Sequence, residues 1–465
     1  MVVGEIPEGL DLLVVGGGPG GYVAALRAAQ LGRQVTLIDA HGPDGLGGAC
    51  VRVGCIPSKA LIEAAQTVNA VAHGSAVGID GSVTFDMGRW QNARKKIVDD
   101  LNSGVHGLLR AAGVDVRTGH FRFTRPDQGV WQTPEGQAAY AEFESAIIAT
   151  GSRPVELTPL PRDRIRVLDS TDALALSTVP EAVAVIGGGY IGVELGTALA
   201  KLGSHVTIVE ALDRLLPGMD PVVAEPVTKR LRALGVDILL GAHAEDDDGR
   251  VLTVSTEAGE QCLEVDAVIV AVGRRPNTDD LGLDRLGVTP GPDGLLPVKP
   301  DRRITSQVAA IGDITPGAAL AHKASAEGLV AAEALSGHRV EFAPAAIPAV
   351  VFSDPEVAVA GLASDVQGTR TARFPVSASG RAATLGTREG FAQLVVDDSD
   401  VVVGAQVVAP HAADLIGELV LAIEMCTSLR DLALTVHPHP TMSEVWMEAA
   451  HVGLNQPMHV PRNSR

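Results

Sequence analysis

The 465-residue sequence predicts an α/β protein built on two copies of one parallel-strand unit, and three observations lead there. The stretch from Asp11 to Ala40 aligns without a gap on that from Ala182 to Ala211. Each stretch carries three spaced glycines between an apolar run and a helical pattern. Glycine itself is abundant, with 52 residues against an average share of about 7%, which implies many tight turns and close backbone approaches.

Each copy opens on a short apolar run, Leu12–Val15 or Val183–Ile186, of the length and β-branching of a strand buried on both faces. Gly16-Gly17-Gly18-Pro19-Gly20-Gly21 follows in one and Gly187-Gly188-Gly189-Tyr190-Ile191-Gly192 in the other. A helical pattern then closes at Leu31-Gly32 or Leu202-Gly203, and a second strand ends on an acid, Asp39 or Glu210, at the same distance from the first glycine. The spacing has a chemical purpose. Gly16 and Gly187 make a tight turn, Gly18 and Gly189 let the backbone approach a pyrophosphate, and Gly21 and Gly192 let helix and strand pack closely. The helix N-terminus offers free N–H groups to phosphates, and the acid accepts hydrogen bonds from ribose hydroxyls. One glycine-rich turn says little, because such turns also occur for packing alone. Two copies with strand, helix and acid in register describe two Rossmann-like dinucleotide-binding domains, and hence two dinucleotides, FAD and a nicotinamide cofactor. Glu210 opposes a 2′-phosphate and no Arg directly follows it, so NAD is expected rather than NADP, with Arg214 the nearby cation that argues the other way.

Composition narrows the function. Lys+Arg of 37 against Asp+Glu of 56 gives a net charge of −19, which repels nucleic acid and anionic membrane. Hydrophobic residues are 46% and aromatics 3%, so the cores should be aliphatic, and the length suits two to four domains. Met1–Leu10 carries Glu5 and Glu8 and no basic stretch, unlike a signal peptide. No uncharged apolar run reaches the ~20 residues of a membrane span. A cytoplasmic protein with neither nucleic acid nor membrane as partner is expected.

Four cysteines, at 50, 55, 262 and 426, are too few for a disulfide scaffold. Only two lie together, without a neighbouring His, so no metal site is expected. That pair sits in Gly47-Gly48-Ala49-Cys50-Val51-Arg52-Val53-Gly54-Cys55-Ile56-Pro57-Ser58-Lys59, ahead of a helical stretch. Residues five apart on an ideal helix have Cα atoms roughly 8.7 Å apart, whereas a disulfide wants about 4.4–6.8 Å. Bonding Cys50 to Cys55 therefore needs a distorted turn, which Gly54 permits. Lys59 is one of seven Lys beside thirty Arg; a cation there favours a nearby thiolate and electron density on a flavin. Cys262, in a strand pattern, and Cys426, in an apolar helical pattern, read as small buried hydrophobes.

Gly47–Lys59 closely resembles the redox motif of the flavoprotein disulfide reductases, and nearly the whole chain follows that family's order. Ala146–Gly151 resembles the first return from the FAD fold, Val268–Asn277 the end of the NAD fold, and Ala310–Asp313 the second FAD motif. His437-Pro438-His439-Pro440-Thr441-Met442-Ser443-Glu444 resembles the acid–base motif, in which the His before Pro-Thr pairs with the Glu five positions on. Leu320–Ala324, Tyr190–Gly196 and Ser379–Ala382 are similar to the dihydrolipoamide dehydrogenase branch.

The resemblance implies a fold of two Rossmann-like domains plus an α+β C-terminal dimerisation domain: residues 1–153 for FAD, 154–276 for NAD, 277–341 completing the FAD site, and 342–465 as interface. It adds Gly48, Lys59, Gly119, His120, Thr150, Gly151, Gly312, Asp313 and Ala321 to the FAD contacts, and Glu194 and Gly273 to those of NAD. It implies a homodimer, with a lipoylated protein or lipoyl domain as substrate. Catalysis would fall to Cys50, Cys55, His439, Glu444, Lys59 and Glu194, with Cys50 exchanging with the substrate, Cys55 facing the flavin and His439 acting across the dimer. His437 is expected to be structural. The chain departs from the usual motif at Ala49, where the family carries Thr, and at Val51-Arg52, where it carries Leu-Asn. Those departures leave room for another flavin disulfide reductase, or for a flavin-bearing lipoyl-protein-binding subunit of low turnover.

Overall fold

The computed structural model describes residues 7–462; the reading of Met1–Leu10 lies, for residues 1–6, outside them. Strand β1 (Glu8–Val15) leads through a glycine turn into helix α1 (Pro19–Gln30) and strand β2 (Val35–Asp39). Two helices separated by one residue, α2 (Gly48–Val53) and α3 (Cys55–Ala72), precede the long α4 (Met87–Ala111). The chain returns through β3 (Asp115–Thr118), β4 (His120–Arg125), β5 (Gln128–Gln132) and β6 (Ala138–Ile148). β3, β2, β1 and β6 lie side by side and parallel, and β5 and β4 continue the sheet antiparallel. Leu12, Leu13, Val14, Ile147 and Ile148 are fully buried, as strands covered on both faces require.

The chain leaves this sheet at β7 (Ser152–Pro154) and builds a second one. Its elements are β8 (Val167–Leu168), α5 (Ser170–Ala173), β9 (Ala182–Ile186), α6 (Tyr190–Lys201), β10 (His205–Glu210), α7 (Ala224–Ala233) and β11 (Asp237–Leu240). An antiparallel meander of β12 (His243–Asp247), β13 (Val251–Thr256) and β14 (Gly259–Glu264) follows, then β15 (Ala267–Val270). The order β11-β10-β9-β15-β8 is parallel throughout. Strand β16 (Arg274–Pro276) pairs antiparallel with β7, so the outward and return crossings are tied to each other.

β17 (Val308–Ala310) then rejoins the first sheet alongside β6, which makes the second sheet an insertion in the first. Helix α8 (Ala321–Leu335) packs on α1 at close range, because Gly20 and Gly328 face each other. A Cβ on Gly328 would lie 2.6 Å from the Gly20 carbonyl oxygen, and one on Gly20 would lie 3.0 Å from that of Ala324. The remaining chain forms β18 (Ala349–Val351), β19 (Glu356–Gly361), β20 (Thr369–Pro375), α9 (Gly380–Thr384), β21 (Phe391–Asp397), β22 (Val402–Ala409), α10 (Ala412–Glu424), α11 (Leu429–Leu434) and α12 (Glu444–Gly453). Its antiparallel sheet, β18-β19-β22-β21-β20, closes over a core centred on the fully buried Trp446, whose indole N–H donates to the Leu415 carbonyl at 3.2 Å. No helix among the described residues is long and apolar enough to cross a membrane.

Candidate active site

The two glycine turns have one geometry, and each glycine has a different physical reason to be one. Gly16 and Gly187 adopt φ of +104° and +107°, which side chains rarely tolerate. A Cβ on Gly16 would meet the Ala149 carbonyl oxygen at 2.3 Å, and one on Gly187 that of Ala271 at 2.6 Å. Gly21 and Gly192 each pack so closely that a Cβ would lie 1.9 Å from the first glycine's carbonyl oxygen. Around Gly189 there is open space, and at Gly18 the nearest atom is the Gly48 Cα at 3.9 Å, so these two backbones are free to receive a ligand. No side chain caps α1 or α6, which leaves the helix N–H groups available for phosphate oxygens. The acids close each turn. Asp39 Oδ2 accepts from the Gly17 amide at 2.8 Å, and Glu210 Oε2 accepts from the Gly188 amide at 2.6 Å.

An open cleft of about 440 Å³ runs from the first turn to the cysteine pair, within the roughly 300–1,000 Å³ usual for a ligand site. Asp39 and His41 stand along it with Gly16, Gly18 and Gly48; Cys50, Cys55, Lys59, Thr150, Gly151, Glu194, Gly312, Asp313 and Ala321 also line its walls. An elongated dinucleotide suits this shape. Gly119 and His120 do not line the cleft. The Gly119 amide donates to the Asp39 carbonyl at 2.9 Å, so it borders the Asp39 end, while His120 is exposed. Of the residues expected around the second nucleotide, Glu194 reaches the cleft, whereas Gly187, Gly189, Gly192, Glu210 and Gly273 lie outside it around the α6 turn and the end of β15.

The break between α2 and α3 falls at Gly54, the distortion that the spacing of the pair demanded. A Cβ there would come within 2.9 Å of the Ala49 carbonyl oxygen. Both cysteines are thiols in this structure, and they differ in acidity. The hydrogen bond from the Cys50 thiol, helped by the Lys59 ammonium, outweighs burial and brings Cys55 down to about 7. The same hydrogen bond, together with burial, pushes Cys50 up. In the reduced pair the thiolate therefore belongs to Cys55. Its ultraviolet absorbance should appear above a midpoint near 7 and vanish as pH falls below it. A single midpoint at the ordinary thiol value would refute the assignment.

Lys59 is held by Glu194, which is 3% exposed and accepts from its ammonium at 2.8 and 3.0 Å. The Phe352 amide donates to the same carboxylate at 2.9 Å, and the Phe352 ring lies 4.6 Å from the Lys59 nitrogen. This joins the first sheet, the inserted sheet and the C-terminal region at one point. Sequence reasoning missed Phe352, Ser152, Arg274 and Tyr190. Arg274 donates to the Ser152 hydroxyl at 2.7 Å, and that hydroxyl donates to Asp313 at 2.6 Å, an arrangement only the β7–β16 crossing creates. Tyr190 stands partly exposed on the cleft wall; its place directly after Gly189 was the available signal.

His439 is apart from this cleft, with its side chain 76% exposed. Its Nδ1 donates to Glu444 Oε1 at 2.9 Å, and the Thr441 amide donates to Oε2 at 2.9 Å. Burial pushes Glu444 up, but these hydrogen bonds outweigh it and hold the carboxyl below its usual range. With Nδ1–H committed to a carboxylate, Nε2 is left bare to accept a proton. His437 is engaged by Glu418 at 2.8 Å and the Thr435 carbonyl at 2.9 Å, a structural setting. The expectation for Cys262 and Cys426 is corrected. Both are exposed, because Cys262 lies on the open face of the outer strand β14 and Cys426 follows the end of α10. No group of ligating side chains able to hold a metal occurs among the described residues.

Two nucleotide turns, one inserted in the other's sheet and meeting at a dithiol, define a pyridine nucleotide oxidoreductase working through a disulfide. Residues 10–328 match the pyridine nucleotide-disulphide oxidoreductase family, and residues 347–450 match its dimerisation domain. The chain is 46% identical to a dihydrolipoyl dehydrogenase of Geobacillus stearothermophilus, with 99% of both chains covered. It is 44% identical to one of Bacillus subtilis, with 99% of this chain and 100% of the other covered. Among solved structures it is similar to LpdA from Mycobacterium tuberculosis, with a TM-score of 0.87 and 28% identity over 95% of this chain and 99% of that one. It is also similar to the HOCl-induced flavoprotein disulfide reductase RclA from Escherichia coli, with a TM-score of 0.81 and 26% identity over 93% and 98%. The chain belongs to the pyridine nucleotide-disulphide oxidoreductase family. Its cofactors are FAD and NAD.

Proposed function

We propose that the chain oxidises a protein-bound dihydrolipoyl dithiol to its disulfide and reduces NAD to NADH, as a homodimer. The observation that carries this reading is the Cys50–Cys55 pair beside the Lys59–Glu194 ion pair, in a cleft that begins at one dinucleotide turn and is reached by the helix of the other. Relatives named dihydrolipoyl dehydrogenase along the full length support the substrate. Bound FAD supplies the two-electron relay between the cysteine pair and NAD. Gly16, Gly18, Gly21, Asp39, Gly48, Thr150, Gly151, Gly312, Asp313 and Ala321 would hold FAD, with Gly119 and His120 at the Asp39 end. Gly187, Gly189, Gly192, Glu194, Glu210 and Gly273 would hold NAD.

The thiol chemistry follows from the acidities. A substrate thiol loses its proton to His439 Nε2 and attacks Cys50 of the oxidised pair, forming a mixed disulfide and releasing Cys55 as the stabilised thiolate. The second substrate thiol then attacks the substrate sulfur of that mixed disulfide and its proton passes to the departing Cys50 sulfur, giving the cyclic disulfide and freeing Cys50 as a thiol. His439 is open to solvent and absent from the cleft of its own chain, so a second subunit supplies the base. Exposed Leu434 and Val436 precede it, and Leu421 on α10 and Met425 just past its end add apolar surface suited to an interface. Exposed, unbonded Cys262 and Cys426 fit a reducing compartment, which supports a cytoplasmic setting.

The test is NADH formation from free dihydrolipoamide, with NADP assayed alongside. Glu210 is fixed at the end of β10 by the Gly188 and Leu212 amides, and Arg214 donates instead to the Pro217 carbonyl at 3.3 Å. Placing a 2′-phosphate against that carboxylate costs more than about 1.4 kcal/mol. NAD should lead NADP in kcat/KM by at least about tenfold. Equal values would overturn the cofactor assignment, and no NADH from either cofactor would overturn the function.

A further inference from the structure

Helix α8 buries a Lys and a Glu one turn apart. Lys323 is 2% exposed and Glu327 0%, and their charged groups meet at 3.3 Å. Arg302, from the loop before β17, adds a second cation at 2.9 Å from Glu327 Oε1. Burying charge is costly, and apolar residues of similar volume commonly serve stability as well or better. Stability alone therefore gives no reason for this cluster to be charged.

Its hydrogen bonds give one, because they converge on the short 3₁₀ turn Gly312–Ile314 and on Thr315 directly after it. Glu327 Oε2 accepts from the Gly312 amide at 2.7 Å. Lys323 Nζ donates to the Gly312 carbonyl at 3.2 Å, the Thr315 hydroxyl at 3.0 Å and the Thr315 carbonyl at 3.4 Å. The Thr315 hydroxyl oxygen lies 2.8 Å from the Gly312 carbonyl oxygen and 3.1 Å from both Glu327 oxygens, so its proton is donated within that set. Gly312, at φ of +80°, has the backbone freedom that makes such anchoring matter. Inside the anchored turn stands Asp313. It lines the cleft together with Gly312, whereas Lys323, Glu327 and Thr315 do not. Asp313 Oδ2 accepts from the Ser152 hydroxyl at 2.6 Å, so this residue is held by its side chain as well as by its backbone.

We propose that Lys323 and Glu327 are positioning residues for FAD: they clamp the Gly312–Thr315 turn from behind and so hold Asp313 where it meets the cofactor. The inference rests on the reading of Asp313 as an FAD contact. A preorganised contact forms without the ordering cost that a loose turn brings to binding. Loosening the turn therefore weakens FAD binding through Asp313, although no group that touches the cofactor is removed.

The experiment uses the FAD-loaded, full-length enzyme and its Lys323→Met, Thr315→Val and Asp313→Ala variants, with each of the first two also combined with the third. FAD release after dilution is timed by ultrafiltration, and the visible circular dichroism of the bound flavin is recorded. Lys323→Met should speed release by about tenfold or more, and the nearly isosteric Thr315→Val by about threefold, both with an altered flavin spectrum. On the Asp313→Ala background neither should speed release by more than about twofold, because a residue acting through Asp313 has nothing left to act on. A general loss of stability would instead add its full effect on either background. If Lys323→Met yields no folded holoenzyme, Thr315→Val carries the same comparison. Release at the parent rate, or an equal acceleration with and without Asp313, would overturn the proposal. Asp313→Ala enzyme that keeps FAD as the parent does would overturn the reading of Asp313, and the proposal with it.

Discussion

Enzyme carrying Cys50→Ser should retain its FAD and form no measurable NADH from dihydrolipoamide. Serine is nearly isosteric, and the cradle proposed for the nucleotide, Gly16, Gly18, Gly48 and the α1 amides, does not depend on the Cys50 sulfur. Chemistry is another matter. A hydroxyl cannot exchange with a disulfide, so neither the mixed disulfide nor the oxidised pair can form. The variant should still oxidise NADH with ferricyanide. Flavin absorbance after gel filtration, NADH formation from dihydrolipoamide and NADH oxidation with ferricyanide check the three parts. NADH formation from dihydrolipoamide at the parent rate would sink the disulfide route.

His439→Gln should slow the same oxidation by on the order of 10²–10⁴-fold, the usual loss for a positioned general base, again with FAD content intact. Glu444→Gln should do less harm, because a neutral amide still accepts from Nδ1–H and orients the ring. The position of His439 makes a further result necessary. If the base serves the partner's cleft, a heterodimer of one Cys50→Ser chain and one His439→Gln chain holds one complete site. That site takes its cysteines from the His439→Gln chain and its base from the other. Mixing the two inactive homodimers under subunit exchange should restore up to about half of the parent activity per exchanged dimer, for independent sites. Demonstrated exchange with no recovery would place His439 in its own chain's site, or outside the chemistry.

Much of this was legible before any coordinates. The two glycine turns, Asp39, Glu210 and the strands around them are local features, and their spacing carries the backbone geometry they need. The need for a distortion between Cys50 and Cys55 follows from helix dimensions, and Gly54 supplies it. The pairing of His439 with Glu444 spans five residues and came with the motif. Cys262 and Cys426 went the other way. A strand pattern around the first and an apolar helical pattern around the second suggested burial, but burial depends on what a face packs against, and β14 is an outer strand of its meander, exposed along most of its length.

The sequence by itself determined a chain of two nucleotide turns, a cysteine pair, a Lys beside it and a His–Glu motif near the end. Each is a short-range pattern in which spacing is geometry. Only the tertiary structure decided that Glu194, 135 residues from Lys59, fixes that ammonium, that Arg274 reaches Ser152 and through it Asp313, and that His459 folds back on Glu448. It also decided which cysteine holds the thiolate, because that depends on the direction of one hydrogen bond and the distance of one cation. Such contacts join segments that neither a helical nor a strand period relates. They arise when burial of the aliphatic cores brings sheets and helices together, and the charged groups caught between them must find partners or remain costly.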